Sequence, residues 1–485
     1  MGYASYEAGL ETIDVHGYEE ASYPDICFAY VTRSIVFDHQ IKKIYVQSIR
    51  GEHDGDWIEE TTDKIYELSR LRGSTSSSMT SAQADPLEAY GTMNEYIDSC
   101  QQLISGDSQY CDQVRACKDA IADGQSYELC LTHRNEVRAR KPTACKTSHL
   151  EDNEHSWNLY RRLVSQNPAP FSAYMRIHNV HVLSSSPERY MSWDRSQTAQ
   201  CRPIKGTVQK KLGMTAETAH AILSSSKERA ENLMIVDLTR HQLHGVYGSE
   251  QVHVSQLMEV EEYETLWQLV SVVDAVPSGV HKPKTPDDGE DVTEYVASKS
   301  KIEKGNTPYL GFEAFVESLP PGSMTGAPKK RSCEILQKVE NGVRRGIYSG
   351  VLGYLDVGGG GDFSVVIRTA IKIDHDEIGD DKEDVWRIGA GGAVTSQSTP
   401  EGEYEEMVAK FGSTNRAFQP LPAPKPKLSR RQVEIIEPDD PEFAELLASM
   451  RGGEELSIDD AQMMLRAVER ELNRRTERGE AFDNA

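Results

Sequence analysis

The chain has 485 residues, with 53 Lys plus Arg against 77 Asp plus Glu and a formal net charge of −24. That length can bury a large core, and the acidic balance argues against nucleic acid or an anionic membrane as the main partner, so positive charge for an anionic substrate has to be local. The eight cysteines show neither a Cys-x-x-Cys pair nor zinc spacing, no apolar run reaches membrane-spanning length and no signal-peptide core is evident, so a reducing, cytoplasmic setting is expected.

In chain order, residues 2–7 read as an interior strand whose neighbour is missing, which predicts an unpaired sheet edge. Residues 28–31 and 34–37 read as strands, with a turn at Asp38-His39 and a returning strand over 43–49. The serine-rich patch 73–78 reads as a surface loop. From Asp112 the pattern turns helical, with Val114, Cys117, Ala120 and Ile121 on one face and Gly124 as the stop. A strand over 126–133 follows, then a hairpin of 171–177 and 180–185 around His178-Asn179. Helices are predicted over 216–223 and 227–244, and the breaker-rich residues 277–306 form an insertion loop. The turn 321–328 opens a helix with Pro328 in its first turn. Strands are expected at 348–355, 363–373 and 385–388, and a helix over 400–418. Pro420, Pro422, Pro424 and Pro426 make a stiff linker. Two amphipathic helices then present Phe443, Leu446, Leu447 and Met450, and Met464, Leu465, Val468 and Leu472. This predicts one domain over 1–418 and a helical extension over 419–485.

Several residues carry chemistry on their own account. Lys205, in Arg202-Pro203-Ile204-Lys205-Gly206-Thr207, becomes a nucleophile at neutral pH if desolvation lowers its pKa, and an exposed loop lysine otherwise. Glu228/Glu231 and Glu403/Glu406 each share a helical face at i, i+3. Together they suit Mg²⁺, which takes one or two protein carboxylates and fills its octahedron with water and an anionic ligand; alone they suit two solvated faces. The turn 323–328 offers backbone N–H groups to a carboxylate, or is an ordinary helix cap. Arg368 inside the apolar run 365–369 needs a partner, best a bidentate carboxylate. The glycines of 389–393 follow a strand and let backbone approach a ligand.

The stretches 184–189, 203–207, 231–238, 322–329, 345–354, 367–369 and 403–410 resemble, in joint order and spacing, the chorismate-utilising enzymes. That family includes anthranilate, aminodeoxychorismate, isochorismate and salicylate synthases, and the resemblance runs from Gly2 to Phe418. It implies a single large α+β domain, with antiparallel sheets packed together and helices outside. Lys205 and the stretch 167–174 resemble the aminodeoxychorismate branch, whereas anthranilate synthases carry alanine at the position of Lys205. Isochorismate and salicylate synthases have a lysine base where this chain has Glu128.

The resemblance implies amination of chorismate to 4-amino-4-deoxychorismate, the precursor of 4-aminobenzoate and folate. Lys205 attacks ring carbon C2 while Glu188 protonates the departing C4 hydroxyl, and ammonia then displaces Lys205. Mg²⁺ on Glu231 and Glu406, with Glu228 and Glu403 nearby, grips the ring carboxylate. Arg368 and Tyr348 hold the pyruvyl side, and Gly206, Thr207, Thr325, Gly326, Gly391 and Gly392 line the substrate. Ammonia is expected from a glutaminase subunit or an upstream glutaminase domain, since the sequence shows no glutaminase nucleophile motif. The sequence departs from the family at Gln268, often histidine, at His241-Gln242, usually Asn-Asp, at Ala393, often glycine, and in lacking N-terminal strands before Gly2. Anthranilate synthase component I and an inactive, binding-only fragment are the alternatives.

Overall fold

The structure, a computed structural model, describes residues 1–18, 21–73, 91–141, 149–210, 214–263, 266–278, 309–374 and 383–420. The serine-rich patch beyond Gly73, nearly all of the expected insertion loop and the tail beyond Pro420 lie outside these residues. All described residues belong to one compact unit, Met1–Pro420.

The first strands are β1 (Gly2–Ala4), β2 (Ile26–Phe28), β3 (Arg33–Asp38), β4 (Lys43–Ser48), β5 (Gln101–Leu103) and β6 (Glu128–Arg140). Then come β7 (Phe171–Ile177), β8 (Val180–Ser186), β9 (Arg189–Trp193), β10 (Ala199–Cys201), β11 (Ile204–Gln209), β12 (Val252–Glu262) and β13 (Leu266–Ala275). The last are β14 (Gly326–Ala327), β15 (Val351–Leu355), β16 (Gly361–Val365), β17 (Thr369–Ile373) and β18 (Glu383–Val394). The helices are α1 (Tyr6–Glu11), α2 (Gly55–Gly73), α3 (Gly91–Asp98), α4 (Asp107–Ala122) and α5 (His149–Gln166). They continue with α6 (Ala216–Leu223), α7 (Ser226–Tyr247), α8 (Leu310–Glu317), α9 (Lys329–Val339) and α10 (Pro400–Asn415).

Among the described residues the strands form two large sheets and a ribbon. One sheet runs β11-β13-β10-β9-β16-β15-β1-β2, with β12 also on β13; the other runs β14-β6-β18-β17-β8-β7, with β5 also on β6. The ribbon is β3-β4. All pairings are antiparallel, so the expected α+β class holds. One apolar cluster joins Val180 and Val182 of β8 to Trp193, Val273 and Phe363 of the first sheet, so the two sheets share a core. A second, with Val114, Leu159, Trp386 and Phe411, packs α4, α5 and α10 against the other sheet. Among the described residues no helix is long and apolar enough to cross a membrane.

The chain crosses between the large sheets at two adjacent places, and these position the site. From β8 it passes through Pro187 and Glu188 into β9. From β16 it passes through Val366, Ile367 and Arg368 into β17. The crossovers are tied together: Ser185 N–H donates to the Arg368 carbonyl at 3.1 Å, Val365 N–H to the Glu188 carbonyl at 3.1 Å, and Ser186 Oγ to the Val365 carbonyl at 2.6 Å.

The single strand expected over 363–373 is therefore two strands in different sheets. The break falls at Arg368, whose φ of 51° is left-handed and incompatible with a continuous strand. The glycine cluster 389–393 lies inside β18, paired with β6 from Arg134 to Cys130, and does not follow a strand. At the N-terminus, only Gly2–Ala4 is strand, and it has neighbours on both sides, β15 and β2. The unpaired edge expected there is absent, because Ser5 caps α1 and the returning chain supplies β2. Pro328 is the N-cap residue of α9 and stands just before its first turn.

Candidate active site

Lys205 sits on β11 where the pairing with β13 slips between Ile204 and Thr207. Such a bulge re-aims a side chain. Gly206 permits it: its φ is 82°, and a Cβ there would lie 2.7 Å from Glu228 Oε2. Lys205 turns inward, its side chain 11% exposed, and donates from Nζ to Glu128 Oε1 at 2.8 Å. Glu128, at the start of β6, is 1% exposed, and its other oxygen, Oε2, is buried without a hydrogen-bond partner. Burial pushes the Lys205 pKa down, but Glu128 and Glu231 outweigh it and leave the ammonium above the ordinary lysine range. The lysine is thus an ammonium at rest, opposite to the depressed pKa expected from desolvation alone.

Glu188 lies in the β8–β9 crossover, 8% exposed. Burial pushes its carboxyl up to about 7, although a Ser323 hydrogen bond and the charges of Lys205 and Lys410 pull the other way. It is therefore poised to hold a proton near neutral pH. Arg368, in the other crossover, donates to Ser413 Oγ at 3.4 Å, and among the described residues it forms no ion pair with a carboxylate. Burial holds its guanidinium below the usual range, while Tyr348 and Glu406 oppose that shift. Tyr348 is buried, and Arg368 is among the charges that act on its phenol.

The carboxylate pairs come from opposite sides. Glu228 and Glu231 stand on α7, the former over Gly206. Glu403 and Glu406 stand on α10, where a Cβ at Gly392 would fall 2.5 Å from Glu403 Oε2 and 3.6 Å from the Glu406 carboxyl carbon. Glu403 is buried and accepts from Ser398 at 2.6 Å, whereas Glu406 is paired with Lys410 at 2.6 Å. Lys410 in turn donates to the Gly391 carbonyl at 2.9 Å. Among the described residues no three His, Cys, Asp or Glu side chains stand in a group that could hold a metal. The carboxylates still suit a hard cation that takes one or two protein carboxylates and completes its shell with water and an anionic ligand, and the two glycines bring backbone close beside each pair.

Thr325 is fully buried, and both its N–H and its hydroxyl are spent on the Gly322 carbonyl, at 3.2 and 3.0 Å. Gly326 is in β14, opposite Leu129 of β6. The turn is thus a strap across Glu128 more than an open helix end. Thr207 is exposed and accepts from Gln268 Nε2 at 3.4 Å, while the Gln268 Oε1 is buried without a partner. Arg345, nearly buried, binds Glu340 at 2.6 Å and the carbonyls of Met324 and Cys130, which fixes β6 and this turn. Sequence reasoning assigned no role in this chain to Glu128, whose partner Lys205 lies 77 positions away, nor to the Ser323 and Lys410 side chains.

A cavity of about 1260 Å³ contains none of these residues; it is an apolar groove between the β3–β4 ribbon and the strands β9, β15 and β16.

Two packed antiparallel sheets, holding an ion-paired lysine, a carboxyl near neutral pKa and a buried arginine, define an α+β protein. The chain belongs to the chorismate binding enzymes, whose family model, described as "chorismate binding enzyme", matches residues 1–282 and 300–416. It is 34% identical over 82% of its length to aminodeoxychorismate synthase of Saccharomyces cerevisiae, and 34% over 84% to the chloroplastic aminodeoxychorismate synthase of Arabidopsis thaliana. The chain spans about half the length of these relatives or less, 46% and 39%. Its fold is shared with anthranilate synthase component I of Streptococcus pneumoniae, with a TM-score of 0.60 and 22% identity over 85% of this chain and 79% of that one.

Proposed function

We propose that this chain is the chorismate-binding part of an aminodeoxychorismate synthase, converting chorismate and ammonia to 4-amino-4-deoxychorismate. The observation that carries the reading is Lys205 turned inward by the β11 bulge, with Glu188 held near neutral pKa in the same pocket. A buried lysine is the covalent nucleophile this chemistry asks for, and a carboxyl of pKa about 7 is a competent acid for a departing hydroxyl.

In this reading Arg368 pairs with the pyruvyl carboxylate as a bidentate fork, and the Tyr348 phenol donates to the same end. Gly206, Thr207, Thr325, Gly326, Gly391 and Gly392 bound the ring with backbone in place of side chains. Glu231 and Glu406, backed by Glu228 and Glu403, would hold Mg²⁺, which when bound supplies positive charge for the ring carboxylate. The ammonia comes from a glutaminase, as a partner or as another part of a longer protein.

The test is product identity by liquid chromatography and mass spectrometry from chorismate, Mg²⁺ and ammonium. The expected product is 4-amino-4-deoxychorismate, formed from glutamine only when a glutaminase is supplied. Anthranilate or isochorismate as the main product would overturn the reading.

A further inference from the structure

The inference rests on the proposed reaction and concerns a group with no role in it so far. An amine attacks carbon only as the free base, yet Lys205 rests as an ammonium bound to Glu128 at 2.8 Å. Something must take that proton inside a pocket with little access to water.

The groups that face Lys205 are few. Glu128 and Cys130 come from β6, Glu231 from α7 and Glu188 from the β8–β9 crossover. Burial pushes the Cys130 thiol up, so it stays neutral and is no base. Glu188 has to carry its own proton to the leaving hydroxyl, so it cannot also receive one. Glu231 acts on Lys205 through its charge, and in the proposed reaction it belongs with the cation. Glu128 is the carboxylate seen in hydrogen-bond contact with the reacting nitrogen. Its second oxygen, buried and unpartnered, is where an unshared carboxylate would be least stable. Neutralising it by protonation relieves that cost at the moment the amine is needed.

We propose that Glu128 is the base that takes the Lys205 proton as the amine attacks the ring, and that it returns the proton when the amine is expelled. The cycle balances. The proton passes from Nζ to Glu128; the N–C2 bond forms, the two ring double bonds shift, the C4–O bond breaks, and Glu188 gives its proton to the oxygen, which leaves as water. Lys205 is then a secondary ammonium on the ring, Glu128 is neutral and Glu188 is anionic. Ammonia attacks C4, the double bonds shift back, the C2–N bond breaks and Lys205 leaves as the free amine. The new C4 ammonium gives a proton to Glu188, and Glu128 returns its proton to Lys205.

A carboxylate that only attracted Lys205 would predict the opposite phenotype. Removing its charge would free the amine and speed attack, whereas removing a base slows it even though the amine is freer. Glu128→Gln keeps shape and size, so the two are separable. In the full chain with ammonium, amination by Glu128→Gln should fall by about 10²-fold or more. In the same protein, acylation of Lys205 by acetic anhydride, read by peptide mass spectrometry across pH, should shift to lower pH by at least one unit. Glu128→Asp should restore part of the amination. Amination kept or raised in Glu128→Gln would overturn the inference; so would a fall with no shift in acylation, which would mark the pair as packing only. Wild-type protein that makes no 4-amino-4-deoxychorismate would remove the functional reading and this inference with it, whereas equal product from wild type and Glu128→Gln would remove the inference alone.

Discussion

The crossover region around Lys205 and the β3–β4 ribbon show opposite uses of burial. In the first, charged groups are inside: Glu128 is 1% exposed, Glu188 is 8% exposed, and both sit under packed strands. In the second, apolar groups are outside: Ile35, Val36, Phe37, Ile44 and Tyr45 are all exposed, Phe37 at 57%. Buried charge without full pairing is costly, and a fold retains it where a ligand or a reaction needs it. Exposed apolar surface on a two-stranded ribbon is marginal by itself and tends to associate. Chemistry is therefore to be sought at the first region and association at the second, and substitutions should separate them cleanly.

The sharpest separation is Lys205→Ala. Its ammonium is tied to one carboxylate, and the β11 bulge is set by Gly206, so the chain should still fold without the amine, at a lower thermal midpoint because buried Glu128 loses its partner. Amination should drop below detection in the folded variant, read by product assay and by calorimetry. Near-full activity would return Lys205 to the role of a buried structural ion pair.

Glu188→Gln comes next, with a loss of about 10²–10⁴-fold, the range for a general acid. The pH dependence carries the sign. The acid works protonated, and burial places its pKa at about 7, so kcat/KM should fall as pH rises through about 7, tenfold per unit beyond it. A profile flat from pH 6 to 9 would remove Glu188 from the acid role.

Glu231→Gln and Glu406→Gln should act on the cation. A neutral amide is a far poorer ligand for a hard ion, so the Mg²⁺ concentration for half-maximal chorismate binding should rise roughly tenfold or more, measured by titration calorimetry. If both variants kept the wild-type Mg²⁺ dependence, the two pairs would be solvated helix faces.

These predictions also mark what was legible in the sequence. Lys205 and Arg368 stood out in local context, a proline and a glycine around the lysine and an arginine in an apolar run, whereas a role for Glu188 came only from the family resemblance. The bounds of α6, Ala216–Leu223, match the helix expected over 216–223. Glu128 was legible as a strand residue and as the position of a lysine in related synthases, but not as the partner of Lys205, which lies 77 positions away on the other sheet. The sign of the lysine's pKa shift was lost for the same reason: local sequence shows desolvation, but the opposing charge is tertiary. The split of 363–373 into two strands could not be read because periodicity reports which faces are apolar and not which sheet they face.

The last test concerns the ribbon, and its expected effect on stability is the smallest. Among the described residues β3 pairs only with β4, and their register sets Phe37 opposite Ile44. The ribbon is held at its base, where Arg33 reaches Asp54 from Nε at 2.8 Å and covers the Trp57 ring at 4.9 Å. Phe37 lies at the far end from that anchor and already spends most of its surface in water. Phe37→Lys therefore removes little burial, and a lysine on an edge strand opposes pairing with another chain. Unfolding free energy should change by no more than about 0.5 kcal/mol, as for surface substitutions away from packed features. Self-association, followed by light scattering against concentration, should decrease, and amination should be unchanged because no candidate site residue lines the adjoining groove. A loss of about 2 kcal/mol or more would show Phe37 to be packed in the folded protein, and unchanged association would place the sticky surface elsewhere.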